Sequence, residues 1–188
     1  MFPAVEIDGE PYWDGGYTGN PALTPLLRHA PLSNQASVKA RDLLTEWDFV
    51  LDKDSVAAGV YAMFQRRLLE NVRDRLVPSA ARGAAGAVTL SMKRVIDWLY
   101  APDGRFGDNP TAARDALVGQ SLQEAVAELT KRFGPDMAAW RYGQARYHHA
   151  LIRHALSAAV DPDTRARLDA GPVPRGGDAS TITGTPQA

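Results

Sequence analysis

Residues 55–77 read SVAAGVYAMFQRRLLENVRDRLV, and this stretch decides the fold class. Val56, Val60, Phe64, Leu68, Val72 and Leu76 recur at every fourth residue. That spacing lays the apolar side chains along one stripe of an α-helix. Arg66, Arg67, Glu70, Arg73 and Asp74 fall on the other faces, where Glu70 is within helical reach of Arg66 and Arg73. Asp54 or Ser55 is placed to cap the first turn, and Pro78 stops the last. One apolar stripe of this length requires other elements to cover it.

Further amphipathic segments lie on both sides. Residues 38–47 predict a short helix with Val38, Leu43, Leu44 and Trp47 turned inward. Beyond a linker of small residues at 80–87, a helix is expected over 89–100, carrying Val95, Ile96, Trp98 and Leu99. Ala101-Pro102-Asp103-Gly104 closes it with a turn. A third long helix begins at Thr111 and buries Leu117, Val118, Leu122, Ala125, Val126, Leu129 and Phe133 before Gly134-Pro135. A short one follows Asp161-Pro162-Asp163 and runs to Leu168. Strand signals are few: residues 4–7 near the start and 180–183 in a tail rich in Gly, Pro, Thr and Ser. The fold class is therefore mainly α with a few short strands.

One stretch resists a single reading. Residues 137–156, MAAWRYGQARYHHALIRHAL, concentrate Trp140, Tyr142, Tyr147 and three of the four histidines. Tyr147, Leu151 and Ala155 fit a helical face, while Trp140, Tyr142 and residues 148–154 are equally compatible with extended chain.

Composition removes several function classes. Apolar residues make up 45% of the 188, a globular proportion. Net charge is -1 with the basic residues dispersed, which argues against a nucleic-acid protein. Cysteine is absent, so disulfides and thiolate metal sites are excluded. No apolar run reaches the roughly 18 residues of a membrane span. The first residues carry neither a basic nor an apolar signal region, so the expected location is cytoplasmic.

Motifs for chemistry are sparse. His148, His149 and His154 stand at offsets of one, five and six, whereas helical zinc sites use H-x-x-x-H. They read as packing or hydrogen-bonding groups, and no metal is expected. Asp52-Lys53-Asp54 lacks the ligand spacing of a calcium loop and reads as capping. There is no Walker loop, no G-x-G-x-x-G and no G-x-S-x-G. The nearest approach to the last, Gly119-Gln120-Ser121-Leu122-Gln123, lacks the second glycine and falls in a helical pattern.

Near the N-terminus, Tyr12-Trp13-Asp14-Gly15-Gly16-Tyr17-Thr18-Gly19-Asn20-Pro21 follows Pro3-Ala4-Val5-Glu6-Ile7-Asp8-Gly9. This opening resembles the patatin-like phospholipases, whose Asp-Gly-Gly supplies the aspartate of a Ser–Asp dyad. The resemblance makes Asp14 a candidate catalytic residue, an acid without its serine. Read without that resemblance, Asp14 caps a turn in a hairpin.

A series of segments runs through the rest of the chain: Lys39-Ala40-Arg41-Asp42-Leu43-Leu44 with Trp47-Asp48, Leu90-Ser91-Met92, Trp98 with Ala101-Pro102-Asp103-Gly104, and Arg114-Asp115-Ala116-Leu117. Trp140-Arg141-Tyr142-Gly143, residues 149–154 and Gly176-Gly177-Asp178 complete it. In these segments, from about residue 31 to 183, the chain resembles the penicillin acylase family of N-terminal-nucleophile hydrolases. The resemblance implies hydrolysis of linear amides by an N-terminal serine whose own α-amino group, with a pKa near about 8, is the base. An asparagine and backbone N–H groups would hold the oxyanion. None of those residues maps onto this chain. Family members usually carry structural calcium, whose ligands also have no counterpart here, so no cofactor is expected. Ser33-Asn34 echoes the Ser-Asn that opens the processed chain, but Leu32 before it and Gln35-Ala36-Ser37 after it depart from the pattern.

The expected organisation is a patatin-like β/turn motif over 1–27, an acylase-like helical segment over 28–183 and a disordered tail over 184–188. By resemblance the fold is a helical segment of the αββα N-terminal-nucleophile hydrolase architecture, not the whole of it. The expected function is that of a partial acylase, inactive alone. A patatin-like lipid acyl hydrolase remnant using Asp14 and a non-catalytic helical interaction module are the alternatives. Self-association, or association with the missing acylase segments, is the expected partnership.

Overall fold

A computed structural model describes the backbone of residues 5–7 and 10–12, and residues 23–76 and 90–178 in full. In chain order the described elements are β1 (Val5–Ile7), β2 (Glu10–Tyr12), a 3-10 turn (Thr24–Arg28), α1 (Gln35–Thr45), α2 (Val56–Leu76), α3 (Met92–Tyr100), a second 3-10 turn (Gly104–Phe106), α4 (Pro110–Phe133), a third (Met137–Ala139), β3 (His149–Ile152), α5 (Pro162–Leu168) and β4 (Ala170–Pro174). The architecture is mainly helical. The described strands form two antiparallel pairs, β1 with β2 and β3 with β4. The predicted strand over 180–183 and the linker over 80–87 lie outside the described residues.

The core is a seam between the two longest helices. Val60, Phe64, Leu68 and Val72 of α2 are wholly buried, as are Val118, Leu122, Ala125 and Leu129 of α4. Leu44 of α1, Val95 and Leu99 of α3, Leu27 of the first 3-10 turn and Leu23 just before it close the seam. At about 25 cal/mol per Å² of apolar surface, each such leucine or phenylalanine contributes roughly 1.5–3 kcal/mol. The apolar stripes of the long helices are thus spent within the chain.

Caps set the helix starts. Ser55 Oγ accepts from Ala58 N at 3.1 Å, so Ser55 caps α2. Asn34 accepts from Ser37 N and starts α1 three residues earlier than the apolar pattern indicated. In consequence Ser37 and Ala40 join the buried face, while Val38 is half-buried. Asn109 and Asp161 cap α4 and α5, each followed by proline at the first helical position. Glu70 pairs with Arg66 at 3.1 Å as predicted. Its second partner is Arg67 at 3.0 Å and not Arg73, whose guanidinium turns to the adjacent Asp74.

The ambiguous stretch 137–156 is not helical beyond its first turn. Extended chain holds from His149, because β4 supplies ladder partners at His149↔Pro174 and Ala150↔Val173. Exposed apolar side chains concentrate near this ribbon: Ile152, Leu156 and Val173 are each more than half exposed. Among the described residues no helix is long and apolar enough to cross a membrane.

Candidate functional site

A hydrogen-bonded junction forms where residues 142–143 and 177 meet residues 51–55 at the start of α2. Gly143 N donates to Lys53 O at 2.6 Å, Tyr142 N to Ser55 O at 3.1 Å and Gly177 N to Leu51 O at 2.7 Å. Two tyrosines add side-chain ties. Tyr147 Oη donates to Gly59 O at 2.7 Å, and Tyr142 Oη to Gly177 O at 2.9 Å. The close approach is possible because glycine stands at the crossing points. A Cβ on Gly59 would lie 2.0 Å from Trp140 O, and one on Gly176 would lie 2.6 Å from Leu51 O. Hence the glycines of the 175–178 segment serve contact between backbones.

The electrostatics of this knot centre on Asp178. Burial pushes the phenols of Tyr61 and Tyr142 well above the usual tyrosine range, and the Asp178 charge pushes them further. Tyr147 is raised chiefly by burial. His148 is buried and stacked on Tyr142, with ring centroids 4.4 Å apart at 11°. Burial lowers the His148 imidazole, partly offset by the backbone of Gly176 and Gly177 and by Asp178. At neutral pH the three phenols and the His148 imidazole are uncharged, and Asp178 acts on Tyr61, Tyr142 and His148. The Tyr142 and Tyr147 hydroxyls are given to backbone carbonyls, so the knot is suited to positioning chain segments.

The residues singled out from sequence are dispersed. Asp14 lies outside the described residues. Ser33 is exposed at the start of α1; its hydroxyl and its amide N both donate to Gln123 Oε1, the latter at 3.2 Å. Ser121, of the near-elbow motif, is buried in α4, where its Oγ donates to Leu117 O at 2.7 Å and accepts from Asn71 Nδ2 at 3.0 Å. The three histidines of 148–154 take separate places. His148 enters the knot, His149 Nδ1 is buried without a hydrogen bond among the described residues, and His154 Nδ1 accepts from Leu156 N at 3.1 Å. Among the described residues no three His, Asp or Glu side chains are grouped to hold a metal ion.

Two acidic residues were not visible as site candidates. Asp178 is anchored by the backbone pairing of its neighbours, which no spacing rule reports. Asp169 follows a capped helix, yet its carboxylate gathers Ser157 Oγ and His154 N from across a turn.

Comparison with known families places the molecule. The family model described as penicillin amidase matches residues 18–188, nine-tenths of the chain. The protein belongs to the penicillin amidase family. The match includes the Trp140-Arg141-Tyr142-Gly143 and Gly176-Gly177-Asp178 segments that meet in the knot, and it begins upstream of residue 31. No curated protein matches the sequence significantly.

Proposed function

We propose that this chain contributes the helical scaffold of an acylase-type amide hydrolase and does not hydrolyse amides alone. The observation that carries the reading is the state of Ser33. A serine that acts from a chain terminus needs a free amine as base. Ser33 instead sits inside the chain, and both its N–H and its hydroxyl are given to the amide oxygen of Gln123. An amide oxygen is not basic enough to take a proton from a serine. Ser121 is closed to substrate by burial and donates to a backbone carbonyl. In this reading the knot around Asp178 is a scaffold joint that holds 140–148 and 175–178 against the α2 start.

Incubation of the purified chain with a chromogenic phenylacetyl amide tests the proposal, with release at the buffer rate expected. A second reading, a non-catalytic interaction module, is favoured by one observation: Ile152, Leu156 and Val173 expose apolar surface near the β3–β4 ribbon. Concentration-dependent elution in size-exclusion chromatography, lost on Ile152→Lys, would support that reading. A constant monomer volume would remove it.

A further inference from the structure

A pocket of about 490 Å³ opens between the end of β3, α5 and Asp169. Its lining is Leu151, Arg153, Ser157, Ala158, Arg165 and Asp169. The volume falls within the range of roughly 300–1,000 Å³ that holds small ligands. No part of the scaffold reading uses it.

The charges in this pocket do not balance. Arg165 Nε donates to Ser157 O at 2.7 Å and Nη2 to Val160 O at 3.4 Å. Those carbonyls fix the guanidinium, whose charge also acts on Asp169. Arg153 has no hydrogen-bond or ion-pair partner among the described residues, although its charge acts on Asp169. Asp169 is the one carboxylate in the lining, and its Oδ1 already accepts from Ser157 Oγ and from His154 N at 2.9 Å. His154 Nδ1 accepts from Leu156 N at 3.1 Å. Two guanidinium groups therefore face one carboxylate engaged by its own neighbours. The remaining wall, Leu151 and Ala158 with the arginine stems, is apolar.

We propose that this pocket binds a small monocarboxylate with an apolar tail, its carboxylate at Arg153 and its tail against Leu151 and Ala158. The surplus positive charge selects the anionic head, since a guanidinium fork matches a carboxylate. Asp169 disfavours a doubly charged head such as phosphate. The apolar wall makes affinity rise with tail length.

The test is a titration of the 15N-labelled full chain with hexanoate, acetate, inorganic phosphate and hexanol. The expected result is saturable amide shifts confined to residues 151–158 and 165–169 with hexanoate. Acetate should bind at least five-fold more weakly, and phosphate and hexanol should leave these amides unmoved. Arg153→Gln, at an exposed position, should weaken hexanoate at least five-fold. Ala158→Leu should do the same by filling the pocket without changing its charge. Equal responses to phosphate and hexanoate would overturn the proposal by showing an unselective anion patch. A hexanol response equal to that of hexanoate, or hexanoate shifts unchanged in both variants, would overturn it as well.

Discussion

The Tyr142 hydroxyl donates to the Gly177 carbonyl at 2.9 Å, joining residues 35 positions apart. This bond ties two segments that lie within the match to the penicillin amidase family. Tyr142→Phe keeps the ring on His148 and removes only that donor. The expected cost is about 1–2 kcal/mol, since a buried carbonyl loses its partner. A fall in the urea midpoint at unchanged slope is the measurement. An unchanged midpoint would mean that the bond contributes nothing.

Gly59→Ala tests the same joint from the helix side. The added Cβ would meet Trp140 O at 2.0 Å, a backbone atom that cannot move independently. Destabilisation of about 3 kcal/mol is expected, at the upper end for overpacking. Gly104→Ala is the control, with nothing within 4 Å of its Cβ, and should stay within about 0.5 kcal/mol of the parent in the same denaturation experiment.

Leu122→Ala tests the seam between α2 and α4. Leu122 is fully buried, and its truncation should cost about 2–5 kcal/mol as transfer and cavity terms add. Thermal denaturation that leaves this variant within 1 °C of the parent would show that the seam is not the main source of stability.

Much of this architecture was legible in the residues. The four-residue repeat from Val56 to Leu76 located α2 to within one residue at each end, and the helices expected from Thr111 and from Asp161-Pro162-Asp163 match α4 and α5 within a residue. Local chemistry decides such elements, so local pattern finds them. The region of residues 137–156 was not decidable in this way. Its extended form depends on β4, roughly twenty residues further on, and the contact of Gly143 depends on Lys53, 90 residues back. Asp178 as an electrostatic centre was not legible either, because Tyr61 and Tyr142 reach it only through the fold.

Stability should depend on pH through His148. Its folded value is depressed below the ordinary 6.5 by burial. The unfolded chain therefore binds the proton more readily than the folded chain. The stabilisation is complete above 6.5 and is lost as pH falls from there through the folded value. Lowering the pH from 7.5 to 5.5 should reduce the urea midpoint of the parent. His148→Gln should show a shallower fall over the same interval. Asp161 and Asp169 are also depressed, but from 3.8, so their losses come at lower pH. Identical pH slopes in parent and variant would remove His148 from the account.

The central claim is that the described serines are structural and that this family member is inert toward amides alone. The most direct measurement is the steady-state hydrolysis of a chromogenic phenylacetyl amide by the purified full chain and by Ser33→Ala. The account predicts that both release chromophore at the buffer rate. Turnover above that rate in the parent, abolished in Ser33→Ala, would contradict it.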